Sequence, residues 1–192
     1  MAILRQARVI PKNYMEGSMR STIFTCILII LLTIFVMPAD AVTEYDIKAA
    51  FLLNFAKFVV WPDSSFQDSS SPIIIGILGN DPFGSVLDNI VKNEKVKGRK
   101  IIVKRSKQLS DLRGSHILFV SSSEQSRLGS IIHETSGWHA LTVGDVPGFA
   151  NHGGIINFVI RDNKVKFEIN TAAANTADLK ISSQLLKLAK II

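Results

Sequence analysis

The chain has 192 residues, 22 of them Lys or Arg and 16 Asp or Glu, for a formal charge of +6. Its basic residues are scattered, as in "KNEKVKGRK" and "KLAK", without the dense basic face interleaved with aromatics that nucleic-acid binding uses, which argues against that class. The one cysteine, Cys26, lies inside an N-terminal apolar run, so the remainder of the chain has no thiol for a disulfide, a metal or a nucleophile.

Residues 1–41 read as a secretory signal. Arg5, Arg8, Lys12 and Arg20 precede the uncharged run Ile23 to Met37, which is followed by Pro38 and the small-residue pattern Ala39-Asp40-Ala41, so cleavage is expected after Ala41. A helix over that run spans roughly 22 Å, short of the roughly 30 Å of bilayer hydrocarbon, and no stable membrane span is expected after cleavage. The long n-region leaves Met1, Met15 and Met19 as alternative starts. Removing the leader's four basic and two acidic residues leaves 18 and 14, a charge of +4. Residues 42–192 then make one domain, large enough to bury roughly two-thirds of its unfolded surface.

Thr43 followed by Asp46 forms a capping-box pattern, and Ile47, Ala50, Phe51, Asn54, Phe55, Phe58 and Val59 recur at helical spacing, predicting an amphipathic helix that stops at Trp61-Pro62. After the Ser-rich loop "DSSFQDSSS", the continuous apolar run "PIIIGILG" suits a strand buried on both faces. "NDPFGSVLDNIV" predicts a turn and helix, with Asp81 as N-cap and Pro82 at the first position. "RKIIVKRS" and "SHILFVSS" are predicted strands, "SEQSRLGSIIHETSG" a helix ending near Gly137, and "HALTVGD" a fourth strand. Strand and helix alternate from Pro72 to Asp145. This predicts an α/β fold with a largely parallel central sheet flanked by helices, closed by a C-terminal β-hairpin and a final helix.

The hairpin lies in "NFVIRDNKVKFEIN". With Asp162-Asn163 as the central turn residues, Ile160 pairs with Val165, Phe158 with Phe167 and Ile156 with Ile169, so one face is wholly apolar. The other face sets Asn157 opposite Glu168, Val159 opposite Lys166 and Ile155 opposite Asn170. On that mixed face an amide can hydrogen-bond the Glu168 carboxylate. The final helix is expected to bury Ile181, Leu185, Leu188, Ala189 and Ile192, with Leu179 and Leu186 widening the stripe.

Catalysis finds little support. His116, His133, His139 and His152 sit on separate elements without metal-ligand spacing, and Ser121, Ser122 and Ser123 lack a nucleophile elbow and read as a helix cap. A hydrolase using these serines is the weakest reading, and no catalytic residue, metal or cofactor is assigned. "GNDPFG" points backbone N–H groups toward an anion near Asn80, although Asp81 opposes one. In "DVPGFANHGGIINFV" the glycines Gly148, Gly153 and Gly154 permit unusual backbone angles, and the loop is expected to expose Phe149 and His152 beside the mixed face. Asn80, Asp81, Gly153 and Gly154 are therefore the candidate contacts for a small anionic or nucleotide-like ligand.

Four segments together, "EYDIKAAFLLNFAKFVVWP", "IGILGNDPFG", "LTVGDVPGFANHGGIINFV" and "KVKFEINTAAANTADLKISSQLLKLAK", resemble the YfiR family of periplasmic proteins over nearly all of residues 42–192. The resemblance implies a homodimer without enzymatic activity that represses a membrane-bound diguanylate cyclase by binding its periplasmic region, lowering cyclic di-GMP and so restraining biofilm formation. Some relatives carry cysteine pairs that make repression redox-sensitive; residues 42–192 have none, so that control is not expected here. A repressor needs a surface combining apolar anchors with a few oriented polar groups, and Phe149, Asn157, Glu168, Asn170 and Gln184 are the candidate partner-binding residues. The alternative is a periplasmic protein that binds a small ligand.

Overall fold

The computed structural model describes residues 42–192; the leader read at 1–41, with its apolar run and Cys26, lies outside the described residues. Helix α1 (Glu44–Phe58) begins with the expected capping box, the Thr43 hydroxyl accepting from Asp46 N at 3.2 Å and the Asp46 carboxylate accepting from Thr43 N at 2.6 Å. Its buried side is only in part the expected one: Phe55 and Val59 are buried. Lys48, Ala49, Leu52, Leu53, Phe55 and Ala56 are buried, whereas Ile47, Ala50 and Asn54 face out and Phe51 and Phe58 are half-buried. The helix is apolar around most of its circumference, so spacing alone does not choose a side, and packing selects the sector holding the leucine pair.

The chain continues through β1 (Val59–Val60), β2 (Ile73–Leu78), α2 (Ser85–Val91), β3 (Lys95–Val96) and β4 (Arg99–Ser106), then β5 (Ile117–Val120), α3 (Leu128–Thr135) and β6 (Leu141–Gly144). It closes with β7 (Ile156–Arg161), β8 (Lys164–Ile169), α4 (Thr171–Thr176), β9 (Lys180–Ile181), α5 (Ser183–Leu186) and β10 (Lys190–Ile191). Eight strands form one sheet in the order β10-β8-β7-β6-β5-β2-β4-β3, antiparallel only at β7-β8 and β3-β4. β2 and β5 sit centrally. Alternate residues of β5 serve two cores: Ile117 and Phe119 join the α1 side, Leu118 and Val120 the α3 side. A strand buried on both faces has no polar positions to spare, which is why these segments are continuous apolar runs.

The hairpin register is as expected at every pair from Ile156↔Ile169 to Arg161↔Lys164, with Asp162 and Asn163 at φ 53° and 56° in the left-handed conformation of a type I′ turn. The closing helix is shorter than expected. The Ser182 hydroxyl caps a four-residue α5, and the chain on either side is extended: β9 pairs with β1, and β10 runs parallel to β8. Backbone hydrogen bonds to Phe58 O and Ile169 O hold these ends, and such distant partners override the helical propensity of "SSQLLKLAK". Of the expected stripe Leu179 and Leu185 are buried; Ile181, Leu186 and Ala189 are half-buried, and Leu188 and Ile192 are exposed. Asp81 is not a helix cap either. Its carboxylate accepts from Phe83 N and from Arg105, and the helix starts four residues later at Ser85.

Candidate partner-binding surface

The hairpin's mixed face starts from its register. Asn157 and Glu168 are cross-strand neighbours, as expected, but the amide does not serve the acid. Oriented to satisfy both of its groups, the Asn157 side chain donates to Val146 O at 3.0 Å and to Phe158 O at 3.2 Å. Glu168 is instead answered by two cations. Arg161 reaches it from the turn end of β7 at 2.7 Å, and Lys190, its partner across the parallel β8-β10 pair, reaches it at 3.2 Å. The acid's side chain is only 10 % exposed, against 47 % for Arg161 and 57 % for Lys190, so one sheltered carboxylate orients two solvent-facing charges.

Asn170 is structural at both ends: its carbonyl caps α4 by accepting from Ala173 N, and its amide donates to Ala150 O. Gln184 projects into solvent from α5. Phe149, expected to be exposed, is fully buried in the α3-side core with Leu118, Val120 and Val146. The loop's glycines are the reason. A Cβ on Gly154 would stand 2.1 Å from the ring and one on Gly144 2.6 Å, so the ring occupies space that only glycine leaves. His152 does face out, its Nδ1 turned back to Gly148 O. Asn157, Glu168 and Asn170 thus lie together on the last strands, Gln184 on the neighbouring α5, and Phe149 inside.

Asn80 and Asp81 follow β2, whereas Gly153 and Gly154 precede β7. Asn80 N donates to Ser123 Oγ, and Asp81 is matched by Arg105, which also grips Asp88 at 2.6 Å. Ser121 caps the 3-10 turn Ser122–Arg127, as its sequence context indicates. His116 is buried, accepting from Ile74 N at Nδ1 and donating from Nε2 to Ser65 O, and burial holds its pKa below the ordinary histidine value. No group of three or more His, Cys, Asp or Glu among the described residues is arranged to hold a metal ion. No helix among the described residues is long and apolar enough to cross a membrane.

Two features escaped the sequence reading. Lys190 was hidden because a helix, not a strand, was expected there. Arg161 was legible, since the hairpin register alone sets it on the face of Glu168. The second feature is a buried charge cluster: Lys48 donates to Asp145 at 3.0 Å and pairs with Glu44 at 2.6 Å, while Tyr45 Oη donates to the same Asp145 oxygen at 2.9 Å. Burial and then that hydrogen bond push the Tyr45 pKa up to about 12. The other Asp145 oxygen is buried without a partner.

Of the eight large apolar side chains exposed among the described residues, four belong to the hairpin and closing segment: Ile160 at 50 %, Leu188 at 70 %, Ile191 at 47 % and Ile192 at 37 %. Their neighbours in sequence include Arg161, Lys164, Lys166, Lys187 and Lys190, with Asp162 paired to Lys166. The register sets Ile160 and Ile191 on one face of the sheet and Arg161 and Lys190 on the face of Glu168, so apolar contacts and oriented charges border the same edge from two sides.

A family model described as YfiR/HmsC-like matches residues 45–190. A search of curated proteins found no match. Among solved structures, a conserved domain protein from Vibrio cholerae O1 biovar El Tor N16961 is similar at 11% identity and TM-score 0.50, over 78% of this chain and 60% of that one. The ABC domain of a Streptococcus pneumoniae protein, solved with L-Trp, is similar at 11% identity and TM-score 0.46, over 67% of this chain and 57% of its own. The chain therefore spans about 60% of the length of these structures, and the first likeness concerns the fold alone.

Proposed function

The chain belongs to the YfiR/HmsC-like family, and from that premise we propose that it is a negative regulator that binds the periplasmic region of an inner-membrane diguanylate cyclase and lowers cyclic di-GMP production. The family role is that of a periplasmic regulator rather than an enzyme. On this reading residues 1–41 are a cleaved secretory signal, 42–192 are the working domain, and that domain acts as a homodimer. Repression needs no chemistry. A regulator that binds the inactive cyclase more tightly than the active one shifts the population by that difference in affinity.

The observation that carries the reading is the edge of the sheet: Arg161 and Lys190, fixed by Glu168, on one face, with exposed Leu188 and Ile191 flanking Lys190 in the closing segment and Ile191 turned to the other face. Gln184 lies on the same closing segment, whereas Asn157 and Asn170 are spent on neighbouring backbone groups and hold the strands in place. Phe149 contributes only by packing the loop. The test is co-purification of the regulator with the cyclase encoded nearest to it, comparing Gln184→Ala, Leu188→Ala and Glu168→Ala. Leu188 and Gln184 are exposed, so their variants keep the wild-type melting temperature. Loss of roughly tenfold or more in affinity at Leu188, about 1.4 kcal/mol, supports the surface. Unchanged affinity in all three variants removes it.

A further inference from the structure

The edge of the sheet opposite the hairpin is built by β3 and β4, and it gathers charge that looks scattered in the sequence. Of the 18 basic and 14 acidic residues in 42–192, eight basic and one acidic fall in residues 92–107, so this stretch carries +7 and the rest of the domain, with 10 and 13, carries −3. Ile101 and Val103 pack on the α1 side, so alternation turns Lys100, Ile102 and Lys104 to the other face of β4. Lys95 is the cross-strand partner of Lys100 and shares that face. All three lysines are exposed, as is Lys97 in the turn between β3 and β4. None of the four makes a salt bridge or a side-chain hydrogen bond among the described residues. The acid and the two arginines of the stretch, by contrast, are engaged: Glu94 pairs with Lys57, Arg105 with Asp81 and Asp88, and Arg99 donates to Asp68 O and Ser71 O. Like charges directly opposite on paired strands destabilise them, so an anion over Lys95 and Lys100 relieves a cost the free protein carries. Ile102, 38 % exposed, lies between Lys100 and Lys104, beside half-buried Ile74 of β2.

We propose that this edge docks on an anionic phospholipid surface. Lysine suits that partner: each ammonium is a point charge without the fork that selects one carboxylate, so a row of them matches a spread layer of anions better than a single acidic group. An isoleucine set among lysines adds the apolar contact that interfacial binding uses, entering the headgroup layer while the ammonium groups stay in water. Because the remainder of the domain is net negative, an anionic surface attracts this edge and repels the rest, which fixes one orientation. The hairpin edge, at the other end of the strand order, is left to a protein partner. The proposal rests on the functional reading only for the compartment, in which the inner membrane offers such a surface.

The experiment mixes the protein, as the cell processes it, with vesicles of phosphatidylcholine alone or with an equal share of phosphatidylglycerol, and measures the sedimented fraction against lipid concentration. Binding is expected to the anionic vesicles alone and fades as salt rises. Lys95→Gln, Lys100→Gln and Lys104→Gln should each weaken it about fivefold and together roughly a hundredfold, at a melting temperature equal to or above the parent's. Lys164→Gln with Lys166→Gln removes exposed cations from the hairpin instead and should leave binding unchanged, which separates this edge from net charge. Equal sedimentation with neutral vesicles or an equal loss in the hairpin pair would overturn the proposal. So would displacement from the vesicles by polyglutamate at matched charge, which would mark an acidic protein as the better occupant. The triple variant should still co-purify with the cyclase, so vesicle binding and cyclase binding are read separately and failure of one leaves the other standing.

Discussion

Replacing Gly154 by alanine adds one methyl group at a point where the backbone tolerates it, since Gly154 does not occupy the left-handed region; the whole cost must come from what the methyl meets. It meets the Phe149 ring, at 2.1 Å from one carbon and 2.2 Å from the next. Ordinary contact is well over 1 Å longer, and the ring cannot retreat because Gly144 presses its opposite flank, where a Cβ would stand at 2.6 Å. Overpacking of this kind costs about 3 kcal/mol, at the top of the usual range, and lowers the melting temperature of a domain this size by roughly 6–12 °C. Phe149→Leu alone costs about 1–2 kcal/mol from the space it vacates. In the double variant the two costs offset, because the smaller side chain admits the methyl, and urea denaturation should recover at least about 1 kcal/mol relative to their sum. Additive costs, or a Gly154→Ala variant as stable as the parent, would refute the wedge. So would a Phe149→Leu variant of unchanged stability that had lost its partner, which would make Phe149 a recognition residue after all.

Acid should weaken the fold through His116. Its folded pKa is depressed by burial, so the unfolded chain binds the proton more readily; this stability is complete above about pH 6.5 and drains away as pH falls below it, with a slope of up to about 1.4 kcal/mol per unit. Denaturation curves between pH 5 and 8 should show that slope, and His116→Gln should flatten it. Lys48→Ala should destabilise by about 3–5 kcal/mol, since it strands the Asp145 carboxylate in the interior, whereas Lys48→Met with Asp145→Leu should recover most of the loss. A Lys48→Ala variant within about 0.5 kcal/mol of the parent in urea would show that the buried pair does not matter.

The hairpin was legible because two local signals agree: strict alternation on both arms and an Asp-Asn pair suited to two consecutive left-handed residues. The central strands were legible for a similar reason, as continuous apolar runs bounded by turn residues. What failed depended on distant partners. Helix α1 was recognisable, but its facing was not, because Ile47 and Leu52 look alike to a periodicity argument and only the sheet beneath decides between them. The closing segment is rich in helix formers, and nothing local announces that Lys190 will lie beside Glu168. Phe149 was misplaced because glycine density reads as an open loop, whereas here the glycines stand back to admit a ring. Asp81 was assigned to the nearest helix, and its actual partner, Arg105, lies 24 residues away.

The two-stranded clasp of β1 and β9, extended by Ser182 N donating to Phe58 O, joins the exit of the first described helix to residues more than 120 positions later. A polypeptide synthesised from its N-terminus presents α1 long before residues 180–182 exist to latch it. Until then the helix, greasy on nearly every side, waits with its core sector uncovered. Closure of the domain therefore waits for the end of synthesis, and the interval before the latch forms is when it depends most on protection from aggregation.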